Sequence, residues 1–208
     1  MSHPYTITPQ EIYRYAANVL QPHLRWQDHG PKCTVTTLLQ VLFYAAAQLC
    51  SIFAACSRLR DAPSDQAVRD TLAALCPPAA TLEQQLNASF AAQLPKAVPR
   101  RRWRLAIDLN LRPYYGHAHR RAEELYRSRA KCGTTHFHAY ATCYLVHQGS
   151  RYTVALTRVE KGTALVAVLK RLLRCASQAG VRPNLLLLDR GFYSVAIIRA
   201  HLNRGGGG

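Results

Sequence analysis

One aspartate stands near the end of an apolar run and another directly after one. Trp103-Arg104-Leu105-Ala106-Ile107 leads into Asp108, and Leu185-Leu186-Leu187-Leu188 leads into Asp189-Arg190-Gly191-Phe192-Tyr193. The leucine run, bounded by Pro183 and Gly191, reads as a strand buried on both faces. A carboxylate just past such a strand lies at the carboxyl edge of a sheet, where α/β proteins place their chemistry. If the two strands are neighbours, the two carboxylates meet. They then repel unless a divalent cation sits between them. Oxygen ligands suit Mg2+ or Mn2+, and such ions activate a water or a 3′-hydroxyl and stabilise the leaving oxygen of a phosphodiester. Taken alone, the stretch around Asp189 fits a strand, a turn and a solvated aspartate equally well.

The elements that must position these residues follow a β-β-β-α-β-α order from Trp103 onward. The first strand spans 103–109. Residues 110–133 are polar, basic and aromatic, with a short helix expected around 120–129. Alternation predicts a second strand over 136–147, with Phe137, Ala139, Ala141, Cys143 and Leu145 on one face and His136, His138, Tyr140, Thr142 and Tyr144 on the other. A turn at 148–150 and a third strand over 151–159 complete a hairpin. An amphipathic helix over 162–179 stops at Gly180. The leucine run is the fourth strand. Gly191 permits a tight turn, and Ser194 caps a last helix running to about Leu202.

Residues 1–95 read as a helical region. Thr8 caps and Pro9 opens a helix that Pro22 ends, near Leu20. Further helices are expected over 34–49, 51–59 and 65–75, the last capped by Ser64 or Asp65. A final one, to about Leu94, is opened by a capping box of Thr81 and Gln84. The helix–turn–helix succession over 51–75 fits DNA reading. A plain helical bundle fits it as well, because Asp65 and Asp70 flank a single Arg69. Pro95-Lys-Ala-Val-Pro-Arg-Arg-Arg102 reads as a basic linker over 96–102 between this region and the domain over 103–204. Residues 205–208 are a glycine tail, native or appended.

Charge separates the two regions more sharply than any motif. Residues 1–95 carry six basic and six acidic residues, whereas 96–208 carry 21 basic and 5 acidic, the whole of the net +16. So concentrated an excess favours a polyanion, nucleic acid before a membrane surface. Arg100, Arg101, Arg102, Arg112, Arg120, Arg121 and Arg190 are the expected DNA-binding residues, with double-stranded DNA as the partner. Seven scattered cysteines include no Cys-x-x-Cys pair, and several lie in apolar runs. His136, His138 and Cys132 match no standard zinc spacing. The opening residues lack the apolar core of a signal peptide, and no apolar run approaches the ~20 residues of a membrane span. A cytoplasmic protein with reduced thiols is the expectation.

The first strand with Asp108, the Arg112-Pro113-Tyr114-Tyr115-Gly116 loop, the stretch Gly133-Thr-Thr-His-Phe-His-Ala-Tyr-Ala-Thr142 and, most specifically, Asp189-Arg190-Gly191-Phe192-Tyr193 resemble the insertion-sequence DDE transposases of bacteria and archaea. The likeness covers about residues 100–204. It implies an α/β (α+β) architecture, with the helical amino-terminal region followed by an incomplete RNase H-like mixed sheet with helices. It further implies Asp108 and Asp189 as the first two catalytic, metal-binding acids, with Mg2+ or Mn2+ as cofactor. DNA cleavage and strand transfer at the ends of a transposable element would be the activity. The setting would be a prokaryotic cytoplasm close to the nucleoid, and the full-length enzyme a homodimer. The family's third acid, a glutamate on a helix well after the second Asp, has no counterpart here, because no Asp or Glu follows Asp189. Glu123, Glu124 and Glu160 precede it and cannot be carried over. The expectation is therefore a transposase cut short, inactive by itself. A Holliday-junction resolvase of the same fold and a non-catalytic DNA-binding inhibitor are the rival readings.

Overall fold

A computed structural model of the chain describes residues 8–96, 98, 102–147 and 149–192. The helix expected over 194–202 lies outside the described residues. The chain divides between Ser89 and Phe90 into two compact units.

The first unit is helical: α1 (Pro9–Leu24), α2 (Val35–Ala47), α3 (Ile52–Arg58), α4 (Asp65–Leu75) and α5 (Ala79–Ala92). Side-chain caps start four of them. Thr8 and Glu11 form a reciprocal capping box on α1, and Thr34, Ser51 and Ser64 accept from the third backbone amide of α2, α3 and α4. Pro22 does not end α1. The helix runs through it to Leu24 and stops at Arg25, which takes a left-handed φ of 55°. Nor does Thr81 cap α5. That helix begins two residues earlier, and the amides of Thr81 and Leu82 already bond the Pro78 carbonyl. Helix α2 holds the unit together because both its sides are apolar. Val35 and Leu39 join Ala17, Leu24, Leu82 and Leu86, while Leu38 and Val41 join Ala55, Val68 and Leu72. Each fully buried Leu contributes about 1.5–3 kcal/mol. No single helix among the described residues is long and apolar enough to cross a membrane.

The second unit is a mixed α/β structure. Its strands are β1 (Arg102–Pro113), β2 (Tyr126–Lys131), β3 (Thr134–His147), β4 (Ser150–Val159) and β5 (Arg182–Leu188), with α6 (Leu165–Gln178) between the last two. The helix expected around 120–129 is instead a 3-10 turn over Ala118–Arg121 followed by β2. The alternating burial of Tyr126–Arg129 suits a strand on the edge of β3. β3 is the longest strand. It pairs antiparallel with β1 along one edge and with β2 and then β4 along the other, and β5 lies parallel to β1.

One face of the sheet is the core. Trp103, Leu105, Ile107, Ala139, Ala141, Cys143 and Leu145 meet Val168, Leu169, Leu172 and Ala176 of α6, the apolar stripe that period-3.6 spacing brings to one side. Val98, inside the expected linker, is also buried here, and its carbonyl accepts from Trp103 Nε1 at 2.8 Å. The leucine run is not buried on both faces. Leu186 and Leu188 face the core, but Leu185 and Leu187 are each 46% exposed. Among the described residues β5 has a partner strand on one side only, and α6 covers only the core face.

Candidate functional site

The alternation that buries Leu105 and Ile107 sends Arg104, Ala106, Asp108, Asn110 and Arg112 to the open face of β1. Pairing with β5 begins with Arg102 opposite Arg182 and Trp103 opposite Pro183, then skips Asn184, so that Arg104 meets Leu185 and Ile107 meets Leu188. The bulge places Leu185 and Leu187 on the open face. Continued one step, the register sets Asp189 beside Asp108 on that same face. The Asp189 amide fixes this step by donating to the Ile107 carbonyl at 3.1 Å. Neighbouring strands run about 4.8 Å apart, so both carboxyl groups, exposed at this edge, lie within reach of one small cation.

The chain reverses immediately after Asp189. Arg190–Phe192 forms a 3-10 turn, closed by the Phe192 amide on the Asp189 carbonyl at 2.8 Å. Phe192 is fully buried in the core cluster. It anchors the end of β5 from below, a role that the sequence reading did not assign to it. A Cβ on Gly191 would have its nearest neighbours at 3.9 Å, Asp189 Oδ2, and 4.0 Å, Leu109 Cδ2. Its φ is not in the left-handed region, so the turn does not require a glycine.

Around the acids the open face is aromatic and basic. Opposite Asp108 on β3 is Thr142, opposite Asn110 is Tyr140, and opposite Arg112 is His138. Tyr114 stacks edge-on against His138 at 5.3 Å, and Arg127 Nε donates to His136 Nε2 at 3.2 Å. Arg151 lies over the Tyr144 ring, 5.4 Å from its centroid. The Arg112–Gly116 loop is tied to the start of β3. The Tyr114 amide bonds the His136 carbonyl at 2.9 Å, Thr134 Oγ1 donates to the Tyr114 carbonyl at 3.0 Å, and Tyr115 OH donates to the Cys132 carbonyl at 2.8 Å.

Of the expected DNA-binding residues, Arg102 and Arg112 are exposed on the Asp108 face of β1, and Arg120 is exposed on the 3-10 turn. Arg100 and Arg101, and the side chains of Arg121 and Arg190, lie outside the described residues. Arg104, Arg127 and Arg151, absent from that expectation, join the same open side. Spacing along a strand could have found Arg104, which shares its face with Arg102. Arg127 and Arg151 required knowledge of the pairing. In the first unit, Arg69 of α4 is committed to Asp65 at 2.9 Å.

The other three acids of the second unit are engaged in ion pairs. Glu123 bonds Lys161 at 2.9 Å, and Glu124 and Glu160 both approach Arg158, at 3.4 and 3.6 Å. Among the described residues no three His, Cys, Asp or Glu side chains gather as a metal site. The arrangement is thus a pair of carboxylates side by side on one face of β1 and the end of β5, oxygen donors of the kind that hold a divalent cation. A cationic, aromatic surface surrounds it. No family model, no curated protein and no solved structure matches the chain.

Proposed function

We propose that this chain binds DNA and carries two of the acids of a metal-dependent phosphodiester-cleaving centre, the chemistry of a DDE transposase built on an RNase H-like sheet. One observation carries the reading: Asp108, in the middle of β1, and Asp189, directly after the end of β5, are distant in sequence yet side by side on one face of two adjacent parallel strands. Two carboxylates side by side repel, and a cation shared between them offsets that repulsion. Asp108 and Asp189 would hold Mg2+ or Mn2+, which when bound supplies Lewis-acid activation of an attacking oxygen and stabilises the leaving one. Arg102, Arg104 and Arg112, on the same strand face, would hold the phosphate backbone.

A titration of the full chain with Mn2+, followed by electron paramagnetic resonance, tests this. Binding should be present in the wild type and lost in Asp108→Asn and in Asp189→Asn. A folded chain that binds no Mn2+ would overturn the reading. The reading of a DNA-binding protein without catalysis is favoured by the ion pairing of Glu123, Glu124 and Glu160, which leaves the pair without a third carboxylate. Mn2+ binding without DNA cleavage would select it.

A further inference from the structure

Thr142 carries a hydroxyl with no hydrogen-bond partner in the fold. Its Oγ1 is buried and hydrogen-bonds to nothing, the only such side-chain atom in the second unit among the described residues. Buried hydroxyls are nearly always satisfied, and an orphan calls for an explanation. Its place in the sheet is specific. Thr142 is the β3 residue directly opposite Asp108, on the open face between Tyr140 and Tyr144, with Leu156 across from it on β4. Opposed residues of an antiparallel pair hold their Cβ atoms about 4.5–5.5 Å apart. An Asp108 carboxylate can therefore reach a hydroxyl in that position by side-chain rotation alone. Leu156 offers no side-chain acceptor, so of the two residues directly opposite Thr142 only the aspartate can accept.

We infer that Thr142 is a positioning residue for Asp108: its hydroxyl donates to one carboxylate oxygen and leaves the other aimed at the cation shared with Asp189. The inference rests on the cation reading of the two acids. Metal-ligating carboxylates are themselves held by hydrogen bonds, and losing such a partner typically weakens metal binding by about 10- to 100-fold. Valine matches threonine in shape and lacks the hydroxyl, whereas serine keeps the hydroxyl and loses the methyl group.

Mn2+ affinity and urea unfolding, measured on the full-length wild type, Thr142→Val, Thr142→Ser and Asp108→Asn, decide the matter. Thr142→Val should bind Mn2+ about 10- to 100-fold more weakly, and Thr142→Ser should bind within a few-fold of wild type. In metal-free buffer Thr142→Val should unfold at the same urea concentration as wild type or a higher one, because the hydroxyl it removes has no partner there. Wild-type Mn2+ affinity in Thr142→Val, or equal weakening in valine and serine variants, would overturn the inference. So would a clear loss of metal-free stability in Thr142→Val, which would give the hydroxyl a structural task. If the wild type binds no Mn2+, or Asp108→Asn binds it as well as wild type does, the reading of the two acids fails and this inference falls with it. Weakening in Asp108→Asn but not in Thr142→Val separates the two failures.

Discussion

The amide of Asp189 donates to the carbonyl of Ile107 at 3.1 Å, one residue past the last β1–β5 pair. This bond is of the ordinary parallel-ladder type. It carries the regular spacing of the sheet to the two aspartates, so their separation is set by backbone geometry rather than by loop conformation.

Anchoring of that strand end depends on Phe192, which lies buried in the core three residues after Asp189. Phe192→Ala should destabilise the second unit by about 3–5 kcal/mol, the usual cost of emptying a buried aromatic site. It should also weaken Mn2+ binding, although Phe192 offers no ligand. Phe192→Leu should restore most of both. Urea unfolding and Mn2+ titration of the two variants check this; an Ala variant as stable as wild type would mean that the ring anchors nothing.

DNA binding should be electrostatic and tied to the second unit. Affinity for duplex DNA should fall linearly in a log–log plot against salt. Arg102→Ala, Arg112→Ala and Arg120→Ala should each reduce the slope by about 1, whereas Arg69→Ala, already paired with Asp65, should leave it unchanged. Fluorescence anisotropy over a salt series gives the slopes. Binding insensitive to salt, or a slope that changes with Arg69 alone, would place the interface in the helical unit instead.

Strand cleavage is expected to be absent in the 208-residue chain. The acids available beyond Asp108 and Asp189 are Glu123, Glu124 and Glu160 in the second unit, and all are ion-paired. Holding two ions across a phosphodiester takes more carboxylates than the pair provides. Incubation with duplex and nicked DNA in Mg2+ or Mn2+ tests this. Cleavage lost in both Asp108→Ala and Asp189→Ala would show that some other group completes the site.

The cysteines offer a check on the sheet itself. Burial pushes the Cys143 thiol up to about 12, with Cys175 nearby adding to the shift, whereas Cys76 and Cys132 are exposed. At mildly alkaline pH, Cys76 and Cys132 should react with a thiol reagent in the native protein and Cys143 only after unfolding. The sign for stability follows. Between about 9 and about 12 the unfolded thiol has lost its proton and the folded one has not, so stability falls as pH rises through that window. Mass-spectrometric mapping of native labelling would expose a misplaced β3 if Cys143 reacted early.

Much of this architecture is legible in the chain because it follows local pattern. The alternation from His136 to His147 and the capping residues Thr8 and Ser64 specify their elements without help from distant residues. What escapes local pattern is set by neighbours. Tyr126–Lys131 carries too few apolar residues to declare a strand and becomes one through the edge of β3. The four leucines read as buried on both faces, because side-chain type cannot reveal that β5 lies at the end of the described sheet. Asp108 and Asp189 could be found from their place after apolar runs. Thr142 could not, because what distinguishes it from any other strand threonine is the residue facing it across the sheet.

The skipped residue Asn184 makes the site a matter of parity. Had β5 paired without the bulge, Leu188 would stand opposite Asp108 and Asp189 would turn towards α6. Because Asn184 is looped out of the ladder, neither its side chain nor its presence sets the register beyond it, whereas the number of residues from Leu185 to Asp189 does. Asn184→Ala and deletion of Asn184, which joins Pro183 to Leu185 and leaves Arg104–Leu185 through Ile107–Leu188 paired, should both keep Mn2+ affinity near wild type, and deletion of one of the four leucines should abolish it. The two-acid pair is thus robust to change at 184 and intolerant of a single-codon insertion or loss within the leucine run.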